Sequence, residues 1–243
     1  AGVPEYGYDR VSLWQRASSR LGGILHHVPE LTPGARVLDL GAGDGILGLL
    51  LRHYGADVTL ADMEDWRHPD CKSLELVLGK AEDGYGLPDG SLDCVVSFNT
   101  FEHLDDPEVT LNEINRLLKP GGFAYLDFGP LFCSPWGLHA YRSLNMPYPQ
   151  FLFSEDFIKA RLEELGINDL GVKKTELQPL NRWKPAEYER IFKSEKWECR
   201  TYNEAATFDH LDIVAKYPKA FQGRGLSLRD ITASSILTVL RKV

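Results

Sequence analysis

Residues 36–45, RVLDLGAGDG, decide the fold class of this chain. RVLDL predicts a short buried strand, and the glycines at alternate positions after it predict a tight turn. The apolar run GILGLLLRHY, residues 45–54, predicts a helix directly after that turn. A strand, a tight loop and a helix in this order are typical of the first unit of a parallel sheet that helices cover.

The same alternation of strand and helix continues along the chain. A helix over residues 9–27, with Asp9 as its N-cap, precedes the first strand. The helix PEVTLNEINRLLK, residues 107–119, starts at Pro107 and has one apolar face. Further strands are predicted at ADVTLAD (56–62), LELVLG (74–79), LDCVVSF (92–98) and FAYLDF (123–128). This alternation favours a parallel sheet with helices on both faces.

The C-terminal half is less regular. Residues 129–153 are rich in proline and aromatic residues without a clear period, so we expect an ordered insertion over the active site. The remaining expected elements are a helix at SEDFIKARLEELG (154–166), a sixth strand at KKTELQPL (173–180), helical cap segments from Pro185 to Phe221 and a last strand at SSILTVLRKV (234–243).

We therefore predict one α/β domain with a seven-stranded, mostly parallel sheet. Its core comprises about residues 30–130, 154–180 and 230–243, with the insertion at 129–153 and the cap at about 185–225.

Composition and charge argue against several classes of protein. The 243 residues carry 27 basic and 35 acidic side chains, for a formal net charge of −8, whereas nucleic-acid-binding proteins usually present a basic face. We expect no nucleic-acid partner. We also expect no membrane association and a cytoplasmic location, since no apolar run reaches the ~20 residues of a membrane span and no signal peptide is visible. The four cysteines form no CxxC pair, and the sequence predicts no metal site.

Two features predict a nucleoside-binding site at the carboxyl ends of the strands, where open α/β sheets bind ligands. The glycine loop lets the backbone approach a ligand closely. Asp62 ends the second strand, where a carboxylate can accept both hydroxyl hydrogens of a ribose, and nicotinamide enzymes place an acid similarly. The loop is GxGxG after Asp39, however, and Asp44 would repel a pyrophosphate. A cofactor without phosphate that carries a sulfonium and an ammonium group suits this acidic loop better.

The segments VLDLGAGDG, LADM, KAEDGYGLPDGSLDCVVSFNTFEHLDD and LNEINRLLKPGGFAYLDF resemble, in order, the successive motifs of the small-molecule class I methyltransferases. The resemblance covers about residues 36–128. It implies a Rossmann-like sheet, S-adenosyl-L-methionine as the cofactor, and methyl transfer by in-line displacement to an oxygen or nitrogen atom of a small-molecule acceptor. The acceptor stays unnamed, and a monomer and a homodimer both stay open.

The resemblance also implies the residues that bind the cofactor. Those that line its methionine side are Asp39, Gly41, Ala42, Gly43 and Gly45. Asp62 would hold the ribose, and Met63 would pack on the adenine. The residues that flank the adenine edge are Ala81 and Glu82, and those that contact the methionine part and face the methyl group are Phe98, Asn99 and Thr100. One position departs from the family, because Lys80 stands where relatives commonly have Asp.

The acceptor end of the site needs a different kind of residue. A hydroxyl or protonated amine has to lose a proton, and histidine is the natural agent. His139, in the aromatic insertion, is the first candidate for a catalytic base or acceptor anchor. For His103, packing or capping is an equally natural role, and for His210 we expect a structural or exposed position. The insertion's aromatic residues either line an acceptor pocket or hold the loop on the sheet; they are Phe132, Trp136, Tyr141, Tyr148, Phe151 and Phe153.

Two other classes of function stay open. A regulatory protein would bind S-adenosylmethionine without catalysis, although such a protein would tolerate a damaged glycine loop and this loop is intact. An NAD-dependent oxidoreductase would use Asp62 for the ribose of a dinucleotide, although its usual loop is GxGxxG.

Overall fold

The computed structural model describes residues 7–169, 172–174 and 176–243. Its strands are β1 (Arg36–Leu40), β2 (Asp57–Asp62), β3 (Glu75–Leu78), β4 (Leu92–Phe98), β5 (Leu118–Phe128), β6 (Ile167–Asp169), β7 (Val172–Lys174), β8 (Trp197–Ala206) and β9 (Ala233–Lys242). Seven strands form one sheet in the order β3-β2-β1-β4-β5-β9-β8, and β6 pairs with β7 separately. Strands β1 to β5 pair in parallel, while β9 is antiparallel to both β5 and β8. The predicted seven-stranded, mostly parallel sheet is confirmed.

Helices cover both faces of this sheet. They are α1 (Arg10–His27), α2 (Ile46–Tyr54), α3 (Pro107–Leu117), α4 (Pro149–Leu152), α5 (Glu155–Leu165), α6 (Pro185–Phe192), α7 (Leu211–Lys216), α8 (Pro218–Phe221) and α9 (Leu228–Thr232), with short 3-10 helices at Pro69–Cys71 and Ala81–Gly86. Helices α1 and α2 bury Ile24 and Leu47 on one face, and α3 and α6 bury Ile114 and Ile191 on the other. Within the described residues, none of these helices has the length and apolar character required to cross a membrane.

Side-chain caps fix where the main helices begin. The Asp9 carboxylate accepts a hydrogen bond from the Ser12 N–H at 3.1 Å, which confirms Asp9 as the N-cap of α1. Asp106 caps α3, with Pro107 as the first helical residue, and the Ser154 hydroxyl caps α5. Each cap satisfies a backbone N–H that has no partner within the helix.

The sixth strand and the cap differ from the prediction. In the stretch 173–180, β7 ends at Lys174, residue 175 lies outside the described residues, and residues 176–180 form neither helix nor strand. The sixth strand of the main sheet is β8, inside the segment predicted as a helical cap, where only α6, α7 and α8 are helical. β8 lies at the sheet edge and carries exposed charged side chains, so its sequence lacks the apolar alternation of a buried strand.

The aromatic insertion packs against the C-terminal helices. Tyr148 is fully buried, and its hydroxyl donates a hydrogen bond to the Ile231 carbonyl at 2.9 Å. Tyr148 and Phe151 both contact Phe221 of α8, with ring centroids 5.3 and 5.4 Å away. These two rings therefore hold the insertion on the domain by packing, which is the second of the two roles considered for its aromatic residues.

Candidate functional site

The bend between β1 and α2 brings backbone to the carboxyl edge of the sheet. Gly41 and Gly43 have φ angles of +73° and +53°, a region that residues with a Cβ rarely adopt. A Cβ atom on Gly41 would overlap the Thr100 side chain, whereas, apart from its two chain neighbours, no described residue has an atom within 4 Å of the Cβ position on Gly43. Gly45 closes the turn by donating its N–H to the Ala42 carbonyl at 3.0 Å. The bend therefore packs tightly at Gly41 and is open at Gly43.

Asp62, the last residue of β2, points at this bend. Its Oδ2 atom accepts a hydrogen bond from the Gly43 N–H at 2.9 Å, and its Oδ1 atom accepts one from the Met63 N–H at 2.7 Å. Burial raises the pKa of Asp62, and these two N–H groups oppose that rise. Because each carboxylate oxygen can accept more than one hydrogen bond, Asp62 retains capacity for two ligand hydroxyls.

A pocket lies between the bend and α1. Its lining residues are Leu13, Arg16, Ala17, Arg20, Asp39, Gly41, Ala42, Asp44, Leu47 and Phe98. Asp39 is 3% exposed, and its Oδ2 atom has no hydrogen-bond partner among the described residues. Burial raises the pKa of Asp39 to about 7, although the positive charge of Arg20 opposes the rise. A cation bound in this pocket would offset the cost of ionising Asp39.

Two arginines of α1 bring positive charge to the same pocket, and the sequence analysis missed both. Arg16 forms an ion pair with Asp44 at 3.3 Å. The guanidinium of Arg20 lies 4.5 Å from the centre of the Phe98 ring. Arg20 follows the buried Ala17 by one helical turn, so it stands on the apolar face of α1. A charged residue on an apolar helix face is the signal that could have identified it.

The residues after β4 meet the bend from the other side. Phe98 is 7% exposed, and the Thr100 hydroxyl donates to the Phe98 carbonyl at 3.1 Å. Asn99 has a φ of +51°, and its N–H donates to the Asp127 carbonyl at 2.9 Å. Its side chain is exposed. Phe98 therefore lines the pocket, and the Thr100 side chain packs against Gly41 of the bend.

The residues proposed for the adenine side lie along the exposed edge beyond β2. Met63 is 67% exposed. Ala81 is buried, and the Glu82 carboxylate accepts a hydrogen bond from the backbone of the α3 N-cap residue at 3.2 Å. Lys80, which departs from the family pattern, forms an ion pair with Asp105 at 2.6 Å. An exposed partner thus accounts for Lys80 without any contact to a ligand.

The three candidate histidines lie in two places. The rings of His103 and His139 are perpendicular, with centroids 4.8 Å apart, and the buried Glu102, which the sequence analysis missed, joins them. His210 is the N-cap of α7 and packs against Trp136. Burial and the neighbouring His103 lower the pKa of His139 to about 3. The His139 imidazole is therefore neutral at physiological pH and accepts a proton poorly.

Comparisons with known proteins agree with this architecture. Residues 38–126 match a family model described as a methyltransferase domain. The malonyl-[acyl-carrier protein] O-methyltransferase of Methylococcus capsulatus is 36% identical over 140 residues, which cover 53% of this chain and 50% of that protein. The glycine/sarcosine/dimethylglycine N-methyltransferase of Actinopolyspora halophila is 29% identical over 219 residues, or 82% of this chain and 35% of that protein. The chain spans half or less of the length of these curated relatives.

Solved structures share the fold over most of the chain. A SAM-dependent methyltransferase from Methanosarcina mazei has a TM-score of 0.56 and 19% identity, covering 90% of this chain and 97% of that one. The comparisons therefore agree with three features of the structure: the sheet order, the glycine bend and the acid at the end of β2. Residues 38–126 therefore form a methyltransferase domain, and the chain shares its Rossmann-like fold with solved methyltransferases.

Proposed function

We propose that this chain transfers a methyl group from S-adenosylmethionine to an oxygen or nitrogen atom of a small-molecule acceptor by in-line displacement. The observation that carries the proposal is the hydrogen bond from the Gly43 N–H to Asp62. It turns the carboxylate that ends β2 toward the bend that ends β1, so both can contact one nucleoside. A cytoplasmic location and the choice between a monomer and a homodimer stay predictions.

The charges around the pocket fit this cofactor. S-adenosylmethionine carries a sulfonium, an ammonium and a carboxylate group. Asp39 supplies a buried carboxylate oxygen without a hydrogen-bond partner among the described residues, and Asp44 adds a second acid to the lining. Arg16 and Arg20 supply cations suited to a carboxylate. The ammonium group of the methyl donor can pair with these acids, whereas the pyrophosphate of a dinucleotide offers them no positive charge, which favours the methyl donor over NAD.

Each part of the site then has a defined task. Asp62 would orient the ribose hydroxyls, and the acidic lining would hold the positive end of the methionine part. Phe98 and the overlying α1 would exclude water from the pocket. When bound, S-adenosylmethionine supplies an electrophilic methyl group on sulfur. Because displacement at carbon needs aligned reactants more than a strong base, positioning is the main contribution of these residues.

We retain His139 as an acceptor-side residue and assign it to binding rather than to proton removal. Its N–H donates to the Trp136 carbonyl at 3.0 Å, and its φ angle is +59°. Such strained backbone is frequent at functional sites. The low pKa of His139 makes it a weak base, but a neutral ring nitrogen can still hold an acceptor hydroxyl or a metal ion.

A labelled-methyl screen tests the proposal. The chain is incubated with methyl-labelled S-adenosylmethionine and separate sets of phenols, carboxylic acids, amines and sugars, with binding of the methyl donor and of NADH measured in parallel. We expect methyl-donor binding and label transfer to one set. Binding of S-adenosylmethionine without label transfer to any of these sets, or to any fraction of a host-cell extract tested in the same way, would favour a regulatory binding protein. NADH binding without methyl-donor binding would favour an oxidoreductase.

A further inference from the structure

Glu102, His103 and His139 form a compact cluster at the carboxyl ends of β4 and β5. Each of them offers one potential ligand atom, and these atoms all lie within 4.8 Å of one another. Glu102 is buried, while the two histidines are only half-buried. The cluster is therefore anchored in the protein on one side and reachable from solvent on the other.

Backbone carbonyls orient both imidazole rings. The Nδ1 atom of His103 lies 2.7 Å from the Pro179 carbonyl oxygen, and the Nε2 atom of His139 lies 2.7 Å from the Pro130 carbonyl oxygen. A carbonyl can only accept, so each of these ring nitrogens carries the proton. In the neutral rings, the other nitrogen of each histidine is then the unprotonated one, which is the form that coordinates a metal ion. Histidines that bind metals are usually oriented through such a second N–H bond to an acceptor.

Glu102 supplies the third donor. It is 2% exposed, and its Oε1 atom accepts a hydrogen bond from the Gly129 N–H at 3.1 Å. Its Oε2 atom is buried and has no hydrogen-bond partner among the described residues. A buried carboxylate oxygen without a partner is costly. A bound cation would stabilise this side chain as the carboxylate.

We propose that Glu102, His103 and His139 bind one divalent transition-metal ion, of the class that favours mixed imidazole and carboxylate ligands, such as Zn²⁺. With metal–ligand bonds of about 2.0–2.2 Å, tetrahedral donors lie about 3.4 Å apart. The donor atoms therefore need to approach each other by roughly 1 Å or slightly more, which side-chain rotation supplies. Three protein ligands leave a further coordination position for water or another oxygen ligand.

The proposal of a metal site does not depend on methyl transfer. The role of the metal in acceptor binding does rest on the proposed function. If the proposed function holds, the open position would bind an oxygen atom of the acceptor, and the ion would lower the pKa of a bound hydroxyl. This would give the acceptor side a means of deprotonation. The sequence predicted no metal site because His139 is far from Glu102 and His103 along the chain.

Titration with Co²⁺ tests the site without the methyl donor. Co²⁺ in such a site gives visible absorption bands, and competition with Zn²⁺ then reports relative affinity. We expect one equivalent of Co²⁺ to bind, and the affinity to fall at least roughly tenfold in His139→Ala, His103→Ala and Glu102→Gln. Loss of a group that only orients a metal ligand already lowers metal affinity by about tenfold or more, and loss of the ligand itself should cost at least as much. Glu102→Gln keeps an oxygen that accepts from the Gly129 N–H. His53→Ala is the matched control, because that ring contacts the Leu49 carbonyl in α2, outside the cluster.

Two results would overturn the proposal. One is the absence of stoichiometric Co²⁺ or Zn²⁺ binding by the unaltered chain. The other is binding that is unchanged in both His139→Ala and His103→Ala, the two variants whose half-buried positions put folding least at risk. Thermal unfolding of each variant separates a lost ligand from a lost fold. Methyl-donor binding by calorimetry is measured alongside, so failure of the metal site is distinguished from failure of the proposed function.

Discussion

Replacing Asp62 by asparagine is the sharpest test of the proposed ribose site. Both carboxylate oxygens of Asp62 accept backbone N–H groups, from Gly43 at 2.9 Å and from Met63 at 2.7 Å. The asparagine amide has only one accepting oxygen, so its NH₂ group would face one of these donors. The substitution therefore removes the charge that would receive the ribose hydroxyls and also loosens the bend that carries the cofactor.

The expected loss follows from the strength of hydrogen bonds to charged groups. One such bond contributes about 1.5–3 kcal/mol, which corresponds to a roughly 10- to 150-fold rise in the Kd for S-adenosylhomocysteine measured by calorimetry. Asp57→Asn is the matched control, because Asp57 starts the same strand and is highly exposed beside Arg36. A Kd for Asp62→Asn within twofold of the control, with the fold intact, would show that Asp62 does not bind the ribose.

Three further predictions concern the bend and the pocket. Gly41→Ala should lower the free energy of unfolding by about 2–5 kcal/mol, because the new side chain adopts a positive φ angle and also clashes with Thr100. Gly43→Ala has only the cost of the positive φ angle, so it should lower the free energy of unfolding by about 1–2 kcal/mol. Equal losses for the two variants in denaturant unfolding would contradict this. Burial raises the pKa of Asp39 from 3.8 to about 7, so its contribution to stability is complete below about pH 4 and is lost as the pH rises through about 7. Asp39→Asn should flatten the fall in unfolding free energy over that range, and an unchanged pH profile would show that Asp39 is not its source. Arg20→Ala should weaken S-adenosylhomocysteine binding about tenfold or more by calorimetry, through loss of a cation from the pocket; an unaltered Kd would remove Arg20 from the site.

The parts of the fold that the sequence predicts well are those where burial leaves a regular pattern. RVLDL and LDCVVSF match the bounds of β1 and β4 because both strands are covered on two faces and are therefore mostly apolar. The edge strand β8 escapes this logic. Its residues, WECRTYNEAA, are mostly exposed or partly buried, and its place in the sheet comes from pairing with β9.

The candidate site divides in the same way. The glycine bend and Asp62 are local features of the sequence, and their residue types alone indicate close backbone approach to a ligand and binding of ribose hydroxyls. Arg20 enters the pocket only because α1 folds back over the bend. Glu102 becomes a candidate metal ligand only because the fold brings it to the Gly129 N–H and the His139 ring. Long-range packing of this kind leaves little trace in the local pattern, apart from a charged side chain at a position where an apolar one is expected.

A crystal structure of the chain with S-adenosylhomocysteine tests the proposed cofactor site most directly. We expect ribose hydroxyls on Asp62, the homocysteine part between Asp39 and Arg20, and the Gly43 backbone against the ligand. Density for the ligand at another edge of the sheet, or no density in crystals soaked at saturating concentration, would contradict it.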